Sequence, residues 1–332
     1  MLRIFHKTHY NFLGWWRHMA AVTAAFMLAG LAMAVVRPLQ YSIEFTGGTM
    51  LHVRFAQPVS PGDIRSALLG AGIGADIQTF GAINEFTIRA QEREQIAEQE
   101  EGAESVSRDI ENTLAERFGG DAFEVIRTEA IGPRVGEELR RNAAYAILIS
   151  FVVTMIYLAI RFEWRFGVAA VVATAHDVMT TIAFLLLMNI EVSLTVVAAI
   201  LTVIGYSLND TIIIFDRVRE NLRKKRKESM KETLNRSINE TLPRAILTHG
   251  TTLAATMALL IFAGPVIRPF AWVMFFGILT GTFSSMFVAS PLLLWIERKW
   301  PRDMGAKGGG GPRSRAGEER PRQRPAQPVA TR

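Results

Sequence analysis

The 332-residue sequence contains no cysteine, so disulfide bonds, thiolate metal sites and thiol nucleophiles are excluded. Any folded part outside the cytoplasm must therefore be stabilised by its own apolar core. The sequence also lacks the Walker pattern G-x-x-x-x-G-K-[ST] and any His, Asp and Glu set with metal-ligand spacing. We therefore predict no metal, no cofactor and no nucleotide hydrolysis by the Walker route, so that any energy input must come from an ion gradient.

Basic residues are scarce in one region and concentrated in two others. Residues 37–140 carry 18 acidic and 10 basic side chains, whereas residues 216–244 and 297–332 carry ten basic side chains each. Such segregation is typical of membrane topology, because Lys and Arg stay in short cytoplasmic loops. The net charge of +6 therefore favours anionic lipid, and not nucleic acid, as a surface partner.

Apolar residues make up 49% of the sequence, and the mean hydropathy is positive. A helix needs roughly 18 or more apolar residues in succession to cross ~30 Å of hydrocarbon. Six stretches satisfy this requirement: 19–36, 142–160, 166–188, 194–215, 245–264 and 270–296. The sequence therefore predicts an α-helical polytopic membrane protein with six transmembrane helices.

The short connections between the spans set the predicted orientation. The turn at 161–165 contains two arginines, whereas the turn at 189–193 contains no basic residue. The positive-inside rule then predicts a multi-pass protein of the bacterial inner membrane with both termini cytoplasmic and a basic cytoplasmic loop at 216–244. Residues 1–18 form the cytoplasmic amino terminus, and residues 297–332, rich in Gly, Pro and Arg, form a disordered basic tail.

The first span allows a second interpretation. Ala32-Met33-Ala34 resembles a signal-peptidase site, and a basic leader precedes the apolar stretch. A cleaved signal peptide has an apolar core of only about 7–15 residues. The longer core at 19–36 favours a retained membrane anchor.

Residues 37–141 separate the first two spans and are too many for a connecting loop, so we predict a small periplasmic domain, named here the inserted domain. Strand patterns cover 49–55, 75–80, 85–90 and 123–127, and helical patterns cover 60–69 and 104–118. The order β-α-β-β-α-β is that of a ferredoxin-like α+β fold. The domain has a single histidine, His52, and no nucleophile-base pattern, so binding or mechanics is favoured over catalysis.

Two carboxylates interrupt the apolar spans. Asp177 lies near the centre of the third span, and Asp210 lies about five residues from the cytoplasmic end of the fourth. An ionisable side chain at such depth costs about 2.5–3.5 kcal/mol on insertion scales. Each aspartate is therefore a candidate proton carrier, and the alternative is a neutral aspartate that hydrogen-bonds neighbouring helices. His176 and Asn209, which adjoin them, are candidates for a proton relay or for helix packing.

Arg244 is the cation that we predict to pair with Asp210, because it opens the fifth span at a matching depth. Its alternative is a side chain that reaches the cytoplasmic surface. Thr248 and His249 follow about one turn further into the span. His249 is either a hydrogen-bonded packing residue or a proton carrier. We assign proton coupling to Asp210 and Arg244, with Thr248 and His249 as candidate members of the same site.

Six motifs follow one another along the chain: SIEFTGGT at 42–49, IGPRVG at 131–136, RFEWRFG at 161–167, HDV at 176–178, VIGYSLND at 203–210 and FDRVREN at 215–221. Together they resemble the SecF family of protein-export subunits, which is similar to resistance-nodulation-division transporters. The chain departs from the family pattern at Ser42 and Glu44, where Gly and Asp are expected. Around Arg244, Ala245 and His249 replace an expected Thr and Ser.

The resemblance implies a complex with SecD, whose six related spans complete a twelve-helix unit, so that this chain is half of a resistance-nodulation-division-type unit. It also implies association with the SecYEG channel, with YajC as a further candidate, and an unfolded preprotein as substrate. By the same resemblance, Asp210 and Arg244 use the proton motive force to help complete preprotein translocation across the inner membrane. This role is not enzymatic.

Three other functions fit parts of the sequence. Half of a proton-driven small-molecule efflux transporter would suit the membrane part, but it would carry larger porter domains. An intramembrane aspartyl protease would use Asp177 and Asp210, but Ser207-Leu208-Asn209 stands where such enzymes have Gly-x-Gly. A passive scaffold would need no proton carrier. Sodium in place of protons would suit the same residues.

Overall fold

The computed structural model describes residues 8–81, 84–90, 101–224, 228–264 and 266–301. The predicted disordered tail from residue 302 onwards and the first seven residues of the predicted amino terminus lie outside the described residues. The helices that are described follow in chain order: α1 (Phe12–Val36), α2 (Ile43–Thr46), α3 (Pro61–Gly70), α4 (Glu101–Phe118), α5 (Pro133–Arg161), α6 (Trp164–Met188), α7 (Leu194–Lys224), α8 (Met230–Phe262), α9 (Arg268–Ser284) and α10 (Ser290–Lys299).

Within the described residues, six helical segments are long and apolar enough to cross a membrane, which confirms the predicted number of spans. Five are α1, α5, α6, α7 and α8. The last span consists of α9, a π-helical turn at Ser285–Ala289 and α10, which follow one another without a break. About half of the apolar stretch of α6, of α7 and of the last span is buried, whereas only 6% of that of α1 and of α5 is buried. The first three therefore form the centre of the bundle, and the apolar surface of α1 and α5 is available to lipid or to another membrane protein.

Two helices continue beyond the apolar stretches into the predicted basic loop at 216–244. α7 extends to Lys224, where an ion pair with Glu220 one turn earlier supports its polar end. The start of α8 is fixed by a capping box: the Ser229 hydroxyl accepts from the Glu232 backbone N–H at 3.3 Å, and the Glu232 carboxylate accepts from the Ser229 N–H at 3.1 Å. Polar helix is therefore the main structure of the described part of this loop.

Pro243 lies inside α8 without ending it. A proline has no N–H to donate to the carbonyl four residues earlier, which here belongs to Asn239. The Thr8 hydroxyl reaches that carbonyl at 3.5 Å, and the Asn239 side-chain oxygen accepts from the Tyr10 backbone N–H at 2.9 Å. The amino-terminal segment is thus bound along the part of α8 that precedes its apolar stretch.

The inserted domain has the predicted β-α-β-β-α-β order. Strands β1 (Gly48–Phe55), β2 (Ala75–Thr79), β3 (Glu85–Ala90) and β4 (Phe123–Ile131) pair antiparallel in the order β2-β3-β1-β4. α3 and α4 pack against the sheet, and the buried side chains between them are Leu51, Val53, Phe55, Ile64, Leu68, Ile77, Phe86, Ile88, Ile110 and Leu114. This confirms the ferredoxin-like fold, and the apolar core holds the domain together without disulfides.

Candidate functional site

Asp177 is the centre of a polar cluster that joins three helices. Its carboxylate is fully buried on α6. Oδ2 accepts hydrogen bonds from the Ser207 hydroxyl on α7 and from the Ser284 hydroxyl on α9, the latter at 2.7 Å. Oδ1 lies 3.1 Å from His176 Nδ1. Both oxygens have partners, as expected of a carboxylate that holds helices together.

Two glycines allow α9 to approach α7 closely enough for this cluster to form. A Cβ atom on Gly277 would lie 2.3 Å from Val203 Cγ2, and one on Gly281 would lie 3.0 Å from Ser207 Cβ. This is the Gly-x-x-x-Gly spacing that packs helices closely in membranes. Ser284 follows one turn later, so its hydroxyl reaches the carboxylate on α6.

A π-helical turn begins directly after this contact. The Ser285 hydroxyl lies 2.8 Å from Thr211 Oγ1 on α7, and the Ser290 hydroxyl donates to the Ser285 carbonyl at 2.9 Å across the wider turn. Such turns change the direction in which side chains point and are frequent at functional sites. Two successive serines of the last span are therefore bonded to α6 and α7.

Asp210 lies on α7 almost one turn past Ser207, in a second cluster. Its side chain is buried, and Oδ1 lies 3.8 Å from His249 Nε2 on α8, which is beyond hydrogen-bond distance. Oδ2 is also buried and has no hydrogen-bond partner among the described residues. Asp210 is thus a buried carboxylate with unmet hydrogen-bonding capacity, a condition that favours proton uptake or the approach of another polar group.

Arg244 is close enough to interact electrostatically with Asp210, but in the described part of the chain the two form no ion pair within 4.0 Å. Its side chain is exposed on α8. Thr248 donates its hydroxyl to the Arg244 carbonyl at 2.8 Å, and Asn209 is exposed on α7. The structure therefore brings His249 nearest to Asp210, keeps Arg244 within electrostatic reach and places Thr248 and Asn209 outside the carboxylate contact.

His249 connects α8 to the last span. Its Nδ1 lies 2.7 Å from the Thr282 hydroxyl, which also lies 2.9 Å from the Ile278 carbonyl. A hydroxyl has one proton, so when Thr282 donates to that carbonyl it accepts from the histidine Nδ1. In that tautomer Nε2 carries no proton and faces Asp210. The imidazole can then accept a proton that Asp210 releases.

Sequence reasoning identified the carboxylates and His249, but not the hydroxyl groups that the last span contributes. These are Thr282, Ser284 and Ser285. The signal that points to them is the Gly-x-x-x-Gly spacing at 277–281, because it predicts close packing of this helix, and hydroxyl groups near such a contact are the expected interhelical hydrogen-bond donors.

The Asp177 cluster adjoins a cavity through His176. His176 lines a cavity of about 480 Å³ between α1 and the last span, together with Trp16, Trp295 and Arg298.

No group of three or more His, Cys, Asp or Glu side chains that could hold a metal ion occurs within the described ranges. Carboxyl, imidazole and hydroxyl groups in these positions can transfer protons and exchange hydrogen bonds.

Two family models match the chain. The model described as Protein export membrane protein SecD/SecF, C-terminal, matches residues 110–299, and the model described as SecD/SecF GG Motif matches residues 33–59. The first match includes both intramembrane aspartates. The second covers α2 and the two glycines that lead into β1.

Individual relatives agree with these matches. Protein translocase subunit SecF of Gemmatimonas aurantiaca is 59% identical over 305 residues, which is 91% of each chain. The crystal structure of SecDF, a translocon-associated membrane protein from Thermus thermophilus, is 35% identical over 90% of this chain with a TM-score of 0.79. A structure of SecDF in a super-membrane-facing form is 36% identical over 89% of this chain with a TM-score of 0.63. This chain spans about 40% of the length of each SecDF chain.

Proposed function

The chain belongs to the SecF family of protein translocase subunits, and we propose that its Asp210 and Arg244 couple proton movement to protein export. It is a multi-pass membrane protein and an auxiliary subunit of the Sec translocase, with the resistance-nodulation-division-like fold of half a SecDF unit. SecD is its partner, since the SecDF chains contain this fold together with further sequence that it does not cover.

The observation that carries the proposal is the incomplete environment of Asp210. A buried carboxylate with one oxygen 3.8 Å from His249 and the other without a hydrogen bond among the described residues is poorly stabilised in its charged form. Uptake of a proton removes that cost, and the nearby charge of Arg244 favours its release. The same side chain can therefore take up and lose a proton as its neighbours move.

Two exposed polar side chains support SecD as the cover of this site. Asn209 on α7 and Arg244 on α8 are exposed beside Asp210. An amide and a guanidinium at this depth are costly against hydrocarbon, so such residues are expected to face protein or a water-filled cavity. We propose that SecD packs over them and supplies the polar groups that reach Asp210 Oδ2 in part of the cycle.

The proposed cycle begins when Asp210 takes a proton from the periplasmic side. Loss of its charge removes the attraction for Arg244, and the helices that carry the two residues rearrange. The inserted domain then moves against the emerging polypeptide. One charge that moves through 100 mV releases about 2.3 kcal/mol, which is similar to the ~2.5–3.5 kcal/mol cost of a charged side chain at membrane depth. One proton that crosses the membrane therefore supplies free energy of the same order as the cost of charging Asp210 at this depth.

We also propose the bacterial inner membrane as the location, with both termini in the cytoplasm and the inserted domain in the periplasm. Trp164 contacts Trp300 at the end of the bundle opposite the inserted domain, and Arg165 and Lys299 lie 5.4 Å and 4.8 Å from these rings. Aromatic and basic side chains are typical of the cytoplasmic interface, where anionic lipid is a partner.

The proposal includes the SecYEG channel, YajC and an unfolded preprotein as partners, with protons as the coupling ion. It involves no cofactor and no nucleic acid.

The other candidate functions have less support. Efflux by half of a small-molecule transporter is not favoured by relatives that are named as translocase subunits. An aspartyl protease would need two carboxylates that share a proton. Asp177 is instead bonded to Ser207 and Ser284, and Asp210 faces His249, so the carboxylates lie in separate clusters.

Asp210→Asn tests the proposal. In vesicles that contain the complex with SecD and the Sec channel, we expect this variant to assemble normally and to lose the stimulation of export by an imposed proton gradient, by about tenfold or more. Asp216→Asn is the matched control on the same helix, since Asp216 is exposed and its ion pairs with Arg161 and Arg219 are long, at 3.4 Å and 3.8 Å.

Normal gradient-dependent export by Asp210→Asn would refute the proposal and favour a passive scaffold. A second pair of measurements, with a sodium gradient in place of the proton gradient, separates the two coupling ions. Stimulation of the unmodified complex by sodium alone would contradict proton coupling and leave Asp210 as a sodium-dependent residue.

A further inference from the structure

The chain itself connects the inserted domain only to α1 and α5, whereas the two aspartates lie on α6 and α7. A direct route from α6 and α7 to the domain, one that does not pass through α5, must therefore be noncovalent. We propose that a set of contacts around the α6–α7 turn, named the clasp, is the rigid joint that transmits this movement. The clasp residues are Gln40, Ser42, Glu44, Arg89, Glu191, Val192 and Leu194. This inference rests on the proposed function above.

Backbone hydrogen bonds form the first part of the clasp. The Ser42 N–H donates to the Val192 carbonyl at 2.9 Å, and the Val192 N–H donates to the Gln40 carbonyl at 2.8 Å. Tyr41 and Val192 are thereby paired as in a parallel sheet. Two hydrogen bonds from one residue fix both the distance and the direction of the turn relative to the segment that enters the domain.

Two glutamates form the second part. Glu44 of α2 accepts from the Leu194 backbone N–H at 2.6 Å, so it caps the amino terminus of α7, where a carboxylate is favoured by the helix dipole. Glu191 of the turn forms an ion pair with Arg89 of β3, and both side chains are about four-fifths buried. The turn is therefore attached to the sheet of the domain as well as to its entry segment.

The turn itself is stiff. Asn189 ends α6 in the left-handed region, with φ 53° and ψ 42°, and the Ile190 N–H donates to the Leu185 carbonyl at 2.9 Å. This is the pattern of a helix that stops at a defined residue. From the ends of this turn to Asp177 and Asp210 there is only continuous helix, about 16 Å and about 24 Å long. A displacement of either helix near its aspartate therefore moves the clasp by a similar distance.

Glycines hold the domain side of the clasp in place. A Cβ atom on Gly47 would lie 2.7 Å from Pro133 Cα, and one on Gly136 would lie 2.8 Å from the Gly47 nitrogen. Gly47 and Gly48 have φ of 73° and 120°, which glycine adopts readily. The segment is thus packed against the start of α5 and continues directly into β1. Three of the seven clasp residues, Gln40, Ser42 and Glu44, lie in the region that matches the SecD/SecF GG motif, so the clasp gives that motif a mechanical role.

Glu191→Arg is the variant that tests the clasp, because it places a second guanidinium opposite Arg89. In vesicles that contain the complex with SecD and the Sec channel, three quantities are measured: the amount of assembled complex, proton uptake under an imposed gradient, and export of a preprotein. We expect gradient-dependent export to fall about tenfold, while proton uptake and assembly stay within about twofold of the unmodified complex.

Three further variants distinguish the joint from general stability of the domain. Glu85→Arg breaks the ion pair with Arg54, which spans 2.7 Å within the same sheet, and should leave export unchanged. Arg89→Glu combined with Glu191→Arg restores an ion pair of reversed polarity and should restore most of the export. Glu44→Ala removes the cap on α7 and should lower export in the same manner as Glu191→Arg.

A disulfide tests the rigidity of the joint, and the absence of native cysteine makes the result unambiguous. Tyr41→Cys and Val192→Cys introduce thiols at paired positions, about 4.8 Å apart as in neighbouring strands, which is within disulfide range. Oxidation of this double variant should leave export within about twofold of its reduced form, because a rigid joint stays closed.

The outcomes separate the two claims. Asp210→Asn is included in the same preparation, and normal export by that variant would refute the proposed function and the clasp together. If Asp210→Asn is inactive but Glu191→Arg exports normally, the clasp alone is refuted. Loss of proton uptake together with export in Glu191→Arg, an equal loss in Glu85→Arg, or arrest of export by the disulfide would each overturn the clasp as a rigid joint.

Discussion

Asp177 and Asp210 are both buried aspartates on neighbouring central helices, and they differ in how many groups reach them. Asp177 has partners on both oxygens, from α6, α7 and α9. Asp210 has one oxygen near His249 and one without a hydrogen bond among the described residues. Burial alone therefore does not identify a proton carrier. A carboxylate whose two oxygens both have hydrogen-bond partners fixes helix packing. A carboxylate with an oxygen that lacks a hydrogen bond can change its partners.

The two SecDF structures make this difference relevant to movement. They are 35% and 36% identical to this chain and cover 90% and 89% of it, yet their TM-scores are 0.79 and 0.63. Equal similarity in sequence with unequal similarity in structure means that related chains adopt more than one arrangement. We expect the cluster around Asp177 to persist through such changes and the cluster around Asp210 to change its contacts.

Gly277→Leu should produce the largest effect, because it separates α9 from α7 and removes the hydroxyl groups that both clusters use. Even a Cβ added at this position would overlap the Val203 side chain, so we expect a loss of about 3 kcal/mol in the free energy of unfolding. Gly250→Leu is the control, since no atom lies within 4 Å of its added Cβ. Equal stability of the two variants, measured by unfolding in mixed micelles, would show that the α7–α9 contact is not required.

Asp177→Leu should have the next largest effect on stability. It leaves the buried hydroxyls of Ser207 and Ser284 without their shared acceptor, and we expect a loss of about 2 kcal/mol. Asp177→Asn keeps one acceptor oxygen and should lose about 1 kcal/mol. In both variants the remaining folded complex should still respond to the proton gradient. Loss of that response at normal stability would place Asp177 among the proton carriers and remove the contrast with Asp210.

Asp210→Asn should change the free energy of unfolding by less than about 0.5 kcal/mol, because the carboxylate has no hydrogen bond to lose among the described residues. The same unfolding assay as for Asp177→Asn measures this difference. A destabilisation as large as that of Asp177→Asn would show that Asp210 is also a packing residue.

Glu85 of the inserted domain and Glu191 of the clasp should have the smallest effects on the free energy of unfolding. Their contributions to stability should depend on pH in opposite directions. The hydrogen bond from Arg54 lowers the pKa of Glu85 below its ordinary value of 4.5, so its contribution to stability is present above pH 4.5 and is lost as the pH falls through the lowered pKa. Burial raises the pKa of Glu191 despite the nearby Arg89, so its contribution is complete below pH 4.5 and is lost as the pH rises through the raised pKa.

Thermal unfolding of the purified protein from below pH 4.5 to neutrality measures this pair of effects. Glu85→Gln should lower the unfolding temperature at neutral pH, and Glu191→Gln should not. A lower unfolding temperature for Glu191→Gln at neutral pH would show that attraction to Arg89 outweighs burial at the clasp.

Much of the fold could be predicted because it depends on local patterns. The six spans follow from apolar length, and the ferredoxin-like order follows from strand alternation and from helix signals such as Ser60, whose hydroxyl accepts from the Asp63 backbone N–H at 3.1 Å. The extension of α8 into the basic loop was hidden by its polar composition, although the Ser229 and Glu232 capping box is visible in the sequence. The capping box therefore marks the start of this helix in the sequence, and an analysis of hydropathy alone does not use it.

The site was predictable only as far as residue type allows. Asp177, Asp210 and Arg244 stand out because charge is rare in apolar spans. The approach of His249 to within 3.8 Å of Asp210 depends on how α7 and α8 are rotated about their axes, which no single-span pattern specifies. The clasp depends on contacts between residues about 150 positions apart, as between Glu44 and Leu194, and such pairing is set by tertiary structure.

α8 has a consequence for the side of the membrane opposite the inserted domain. Its 33 residues form one helix about 50 Å long, and Arg244 lies about 21 Å from the first residue. A tilt of about 5° around Phe262, at the other end of the helix, would displace the first turn by about 4 Å and Arg244 by about 2 Å. Asn235 accepts from the Leu13 N–H at 3.0 Å on that outer part. The amino-terminal segment is bound to this outer part of α8, so a tilt of the helix would move that segment about twice as far as it moves Arg244 beside Asp210.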